Sequence, residues 1–415
     1  MATKNFVCAR PIRPLWRLIY IPAIQNLHSA TPIPMTGKSP HRARWALATI
    51  FLLQGVIWGS WVPHIPLAKE RLDVGTGIFG LALLAIAVGA VTAMPLAGAL
   101  INRLGSARMT AVTGMLSILA FLGPVLAPTL AGFMAVAFCY GAAVGSMDVA
   151  LNAHGIAVEK ALRRPTISLF HGVFSVGGML GAFLGAAALG VMGEWTHAFL
   201  VAVLLIALLM PCLPFLLPAT IDRGLPGTGF AWPTRATIGL GLLCFLALAA
   251  EGSVIDWSAI MLRQGFALEA GTAALGYGLF SAGMALSRLI GDGLRVKFGA
   301  VRLVRGSAVL TALAMAAAVS LPNPWAAIAA LAVAGFGIGN IAPILFAGGG
   351  RLEPQAPGRG IAAVTTLGYF GFLAGPPFIG FVAEITGLPT ALGLMAATAL
   401  VIAAFARAVA AADTY

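Results

Sequence analysis

Asp148 and Asn152, four residues apart in the run MDVALN, place a carboxylate and an amide on one face of a helix in the middle of an apolar segment. A carboxylate at that depth costs several kcal/mol unless it meets a partner or a water-filled cavity, so its default chemistry is proton or solute binding near a bilayer midplane. Gly141, Gly145 and Gly155 flank the pair and leave room for a neighbouring helix or a solute. The next apolar segment presents Phe170, His171, Phe174 and Ser175, then a small-residue face of Gly177, Gly178 and Gly181. His171 fits a hydrogen-bonded interior role or a proton carrier, and it is counted among the solute-binding candidates. Glu251, midway along LALAAEGSVIDW, is the second candidate for carrying a proton, whereas Asp256 lies nearer the outer end, where solvation fits a plain surface role.

The elements that hold these groups are membrane helices. Of 415 residues, 60% are hydrophobic and only 9% charged, well outside the composition of soluble domains. Windows of about 20 apolar residues, the length that crosses a hydrocarbon core, recur along the chain. Twelve spans are predicted at about 45–66, 76–101, 107–127, 131–155, 166–192, 197–218, 237–262, 270–293, 301–321, 325–347, 360–384 and 388–410. The net charge of +12 does not indicate nucleic acid, because 21 of the 25 Lys and Arg fall on alternate loops and the termini, against three (Lys69, Arg71, Arg263) on the loops between. That asymmetry predicts cytoplasmic termini and an even number of spans in the cell inner (plasma) membrane.

Residues 1–44 read as a disordered basic tail; the Leu15–Ile24 apolar patch is too short to span, and Met35 is an alternative start. Bundles are expected over 45–218 and 237–410, joined by a cytoplasmic linker at 219–236 and followed by a short tail at 411–415. The two halves repeat: MPLAGALINRLGSAR lies over RLIGDGLRVKFGAVR at an offset of 194, pairing Arg103 with Lys297 and Gly105 with Gly299. Gln54 of the first span pairs with Glu251 of the seventh at an offset of 197, which makes Gln54 a cavity-wall candidate.

Two like-oriented six-helix halves, each with a basic glycine loop after its second helix, resemble the major facilitator superfamily over roughly residues 40–410. The resemblance implies an all-α fold of twelve transmembrane helices in two pseudo-symmetric bundles. It also implies that the loop, written GxxxDRxGRR in that superfamily, clamps helix ends when the carrier faces outward. Here Gly98 and Arg103 stand at its positions, but Asn102 replaces the acid; in the second copy Arg288 and Asp292, at i and i+4, fit a self-satisfying pair or a gating clamp.

Asp148 and Asn152 match two positions of the fucose:proton symporter branch, whose carboxylate there is implicated in proton coupling and sugar recognition. The first helix departs from that branch: GVIWGSWVPHIP keeps Pro63 and His64 but has Trp61 or its neighbours where the acid belongs. Trp58 and Trp61 fit stacking on a sugar-like ring or packing between helices. Asn340, in FGIGNIAP, lies where Pro343 can free a carbonyl, and Tyr369 precedes a Gly-Pro-Pro kink in a GYxGFLxGPP run that looks like permeases of this branch.

The expected function is a monomeric secondary transporter, in contact with lipid, that takes up a small polar solute such as a sugar with protons. A drug/proton antiporter keeps the same fold. It is disfavoured because VFSVGGMLGAFLG lacks the proline of the exporters' fifth-helix signature. A polytopic enzyme lacks support: there is no HExxH, GxSxG or GxxxxGK[ST], and neither the six histidines nor the four cysteines show metal-ligand spacing, so no cofactor is expected.

Overall fold

The computed structural model describes residues 39–164, 166–221 and 231–413. The Leu15–Ile24 patch, Met35 and most of the proposed tail and linker lie outside the described residues. The first half comprises α1 (Pro40–Trp61), α2 (His64–Leu72), α3 (Thr76–Leu104), α4 (Ser106–Leu126), α5 (Leu130–Leu162) and α6 (Ile167–Leu209). The second comprises α7 (Ile238–Phe266), α8 (Ala270–Phe298), α9 (Ala300–Ser320), α10 (Pro324–Ile338), α11 (Ile341–Leu352), α12 (Pro357–Thr386) and α13 (Leu388–Ala404).

Among the described residues ten stretches are long and apolar enough to cross a membrane, α1 with α2 (Pro40–Leu72) and α10 with α11 (Pro324–Leu352) each counting once, or eleven when the bent pair Leu388–Ala404 and Ala406–Asp413 counts as one. The stretch Ile167–Phe215, at 49 residues, would measure roughly 70 Å if straight, against about 30 Å of hydrocarbon. It turns at Gly193, whose φ of 77° and ψ of 165° are not helical. It therefore holds two crossings, which makes twelve among the described residues.

Gly193 belongs to a set. Gly105 (φ 83°), Gly193 (φ 77°), Gly299 (φ 78°) and Gly387 (φ 81°) are the positive-φ glycines of the described residues. Gly105 pairs with Gly299, and Gly193 with Gly387, each at the offset of 194 at which the two halves repeat. With ψ of 152–165° these turns occupy a region that only glycine enters cheaply, so two of the tight joints in each half are conformationally the same joint. A Cβ at Gly193 would meet nothing within 4 Å, so backbone strain alone should penalise Gly193→Ala, by about 1–3 kcal/mol. Gly190→Ala, equally uncrowded but helical, should be neutral or stabilising in the same thermal unfolding assay. Equal behaviour of the two variants would refute the assignment.

Within the first half α1 lies on α6 and α3 on α5; within the second α12 lies on α7 and α10 on α8. The predicted glycine face of α6 serves the first of these contacts. A Cβ at Gly177 would sit 2.1 Å from the Leu52 carbonyl oxygen, and one at Gly59 would sit 2.1 Å from that of Gly178, so the backbones touch as small-residue membrane packing requires. Gly141 and Gly145 likewise press on Ile86 and Ala90 of α3. Their space is taken by a helix and not by a solute.

The halves meet chiefly through α6 on α8 and α3 on α12. α10 stops at Ile338 and the chain resumes as α11 at Ile341, so the span breaks at Gly339–Asn340, where the sequence places a break. Pro343 has no N–H to give the Gly339 carbonyl four residues back, which leaves that oxygen free. The Gly-Pro-Pro run lies within a continuous element: α12 extends from Pro357 to Thr386 with Pro376 and Pro377 inside it.

Candidate functional site

Asp148 is half-buried midway along α5, and both carboxylate oxygens are engaged. Asn152 Nδ2 donates to Asp148 Oδ1 at 3.2 Å and to the Asp148 carbonyl at 2.9 Å, as expected from the i, i+4 spacing. Tyr369 OH, from α12 in the other half, donates to Asp148 Oδ2 at 3.0 Å. His171 Nε2 lies 3.2 Å from Asn152 Oδ1. Since the Asn152 amide nitrogen is turned to Asp148, this oxygen accepts, and the network assigns the proton to His171 Nε2. Four sequence-predicted residues on three helices thus form one chain across both bundles.

A second cluster begins one turn further along α6. Arg288 Nη1 donates to Ser175 Oγ at 2.8 Å, Nε donates to the freed Gly339 carbonyl at 3.3 Å, and Nη2 faces Glu251 Oε1 at 3.5 Å. Ser175 Oγ itself gives to the His171 carbonyl at 3.2 Å, which joins the two clusters. The i, i+4 pairing of Arg288 with Asp292 is not formed: Asp292 is exposed, and the guanidinium reaches from α8 to α7 and α6 instead. Spacing put both charges on one face, but the low-dielectric interior rewards the arginine for meeting the buried Glu251 more than a solvated Asp292.

The remaining predicted residues are distributed unevenly. Asn340 is 6% exposed and gives both amide hydrogens to Ser287, to its carbonyl at 2.9 Å and Oγ at 2.8 Å, so it fastens the helix break to α8 beside Arg288. Gln54 is 1% exposed; its Nε2 donates to the Val144 carbonyl at 3.4 Å, one turn before Asp148, and its Oε1 has no partner among the described residues. Trp58 is half-buried with its ring 5.8 Å from that of Tyr140, whereas Trp61 is wholly buried among Phe133 and Tyr140. Gly98 and the exposed Arg103 lie near the end of α3 and touch neither cluster.

At the end opposite the basic loops, polar contacts tie the halves together. Glu70 of α2 pairs with Arg263 of α7, with Nη2 to Oε2 at 2.9 Å. Glu384 Oε2 accepts from the Gly77 N–H at 2.7 Å, so a carboxylate from α12 caps the N-terminus of α3. Glu384→Gln keeps an acceptor but loses the charge, a loss of about 0.3–1 kcal/mol at a helix terminus. Thiol labelling of a cysteine at the buried Ala383 should therefore quicken in that variant, and an unchanged rate would deny Glu384 a part in closure.

One cluster has no sequence signal. Arg71 grips both oxygens of Glu194 at 2.8 and 2.9 Å and gives to the Ala127 and Pro124 carbonyls, while His64 Nε2 and His197 Nδ1 share a 3.0 Å hydrogen bond. His64 and His197 are 133 residues apart, so no local spacing joins them. Among the described residues no group of three or more His, Cys, Asp or Glu side chains is placed to hold a metal ion.

Two pseudo-equivalent helix bundles define a multi-pass membrane transporter. The profile of the Major Facilitator Superfamily matches residues 47–347, and the chain belongs to that superfamily. It is 37% identical over 363 residues to an uncharacterized MFS-type transporter of Yersinia pestis, covering 86% of this chain and 94% of that one. It is 29% identical over 384 residues to the membrane protein MosC of Rhizobium meliloti, covering 89% and 92%. Among solved structures, a mutant of the nucleoside transporter NupG superposes with a TM-score of 0.71 at 16% identity, over 88% of this chain and 99% of that one. The E. coli fucose:proton symporter FucP does so with a TM-score of 0.60 at 16% identity, over 88% and 97%. At such identity these two likenesses bear on the fold alone.

Proposed function

We propose that this transporter carries a small polar solute, such as a sugar, into the cell together with protons, by alternate exposure of a site between the two bundles. The observation that carries the reading is the bond from Tyr369 to Asp148, which sets the only acid of α5's central turns against the opposite bundle. A proton or solute that changes this carboxylate changes a contact between the halves, which is what coupling requires.

Asp148 and Glu251 hold the protons; Asn152, His171, Tyr369 and Trp58 meet the solute, with Gln54 and Asn340 bracing the wall. The bonds Glu70–Arg263 and Gly77–Glu384 close the end away from the basic loops, which supports a chamber open toward the basic side. By charge asymmetry that side is cytoplasmic, in the inner membrane of the cell. Gly98, Arg103, Arg288 and Asp292 were expected to gate the basic end; Gly98, Arg103 and Asp292 keep that role in this scheme, and Arg288 belongs to the site. Uptake into proteoliposomes should follow an imposed pH gradient without ATP, and a requirement for ATP would exclude the scheme.

A further inference from the structure

A neutral solute gives no reason for a guanidinium inside a membrane-spanning helix. Arg288 is the one Lys or Arg that falls inside a predicted span away from the loops, and such residues are expensive to keep there. Its hydrogen bonds are few for its capacity. Nε, Nη1 and Nη2 each give one, so two of the five N–H groups of an arginine have no acceptor among the described residues. The ion pair with Glu251 is loose, at 3.5 Å, the outer limit of a hydrogen bond, and each side chain is still 12% exposed. A fork with spare donors, a slack counter-ion and partial exposure is a receptor for a second carboxylate.

We propose that Arg288 binds a carboxylate on the transported solute, and that Glu251 is the counter-ion which this carboxylate displaces, so that sugar acids are preferred to neutral sugars. This deepens the proton-coupled reading above and rests on it. In the empty site Glu251 neutralises Arg288. Two carboxylates cannot share one guanidinium cheaply in a low-dielectric site. When the solute's carboxylate arrives, Glu251 takes a proton from water on the open side and its contact with Arg288 Nη2 breaks. The solute then accepts from the Nη1 and Nη2 hydrogens in the two-pronged geometry that suits a carboxylate.

One anion and one proton have entered, and the charge of the pair is unchanged. On release Glu251 gives up the proton and reclaims Arg288. Anion and proton cross together because neither alone leaves the site neutral. The other titratable groups around the pair are Tyr277 of α8, Tyr369 of α12, Cys244 of α7 and His171 of α6, with Asp148 behind Tyr369 and Asp256 further along α7. None of them replaces the fixed charge of Arg288.

The test is thermal unfolding of the purified full-length protein with D-glucuronate, D-galacturonate or D-gluconate, set against D-glucose and D-galactose, between pH 5 and pH 8. At least one acid should protect the wild type, more strongly at pH 5, where Glu251 is more readily protonated, and its neutral counterpart should not. Arg288→Gln should abolish the protection. Arg288→Lys, which keeps the charge but not the fork, should weaken it and guards against a folding defect. Glu251→Gln should move the other way, binding the acid about tenfold more tightly at pH 8 and without dependence on pH. A merely structural pair would give losses of the same sign in both variants. Protection by neutral sugars equal to that by acids, undiminished protection in Arg288→Gln, or failure of every acid would overturn the assignment. Proton-driven uptake of a neutral solute, measured separately, would then show that the coupled-carrier reading survives without it.

Discussion

Proteoliposomes carrying Asp148→Asn are expected to lose solute accumulation under a pH gradient while still exchanging labelled for unlabelled solute at equilibrium. The substitution keeps the size of the side chain and one of its oxygens, so an acceptor remains for Asn152 Nδ2. The cost falls on the Tyr369 contact, where the new amide meets a hydroxyl that must turn from donor to acceptor. That exchange of roles costs about 1 kcal/mol, too little to unfold a bundle. What disappears is the titratable proton. Each proton carried per solute supports about tenfold accumulation for a gradient of one pH unit, the equivalent of about 1.4 kcal/mol. In the variant the share carried by Asp148 is lost, and the accumulation ratio should drop by about tenfold. Full accumulation would remove Asp148 from the coupling, and loss of equilibrium exchange as well would show that it is needed for solute passage itself.

Membrane insertion and the twofold repeat are readable from composition and spacing, because bilayer thickness and alternate charge act on every span in the same way. The Asp148–Asn152 contact is readable for a related reason: i, i+4 neighbours meet whatever surrounds the helix. Pro343 is readable too, since a missing N–H frees a carbonyl in any context. What spacing does not contain is competition between helices. Arg288 has Asp292 on its own face, yet it is used by Glu251 and Ser175, 37 and 113 residues away in the chain.

The same limit hides His64 from His197 and Tyr369 from Asp148, contacts made only when α2 meets α6 and α12 meets α5. Gly193 escaped for another reason. Its flanks, VMGEW, share little with ITGLP around Gly387, so no residue match reveals the repeated joint, and it appears only in the backbone angles. Glycines 141 and 145 carry the converse lesson. Small residues beside a buried acid look like room for a solute, yet close backbone packing in membranes consumes the same residues.

The charge pair offers the second large effect. Glu251→Gln leaves the Arg288 guanidinium with Ser175 and a carbonyl but no counter-charge, and Arg288→Gln leaves Glu251 without its cation. Removing one partner of a buried pair costs up to about 3–5 kcal/mol, somewhat less where chamber water reaches the orphaned charge. Each single variant is therefore expected to unfold at a distinctly lower temperature than the wild type. The double variant Glu251→Gln/Arg288→Gln leaves no net charge stranded, and two amides can bond to each other and to Ser175, so its stability should return most of the way. Its transport should not return, because neither a proton-accepting group nor a fixed cation remains on that side of the site. A recovery of stability without recovery of transport separates what the pair does for the fold from what it does for the cycle. If instead the two single losses simply add in the double variant, Glu251 and Arg288 are not energetically coupled, and the 3.5 Å contact is an accident of position.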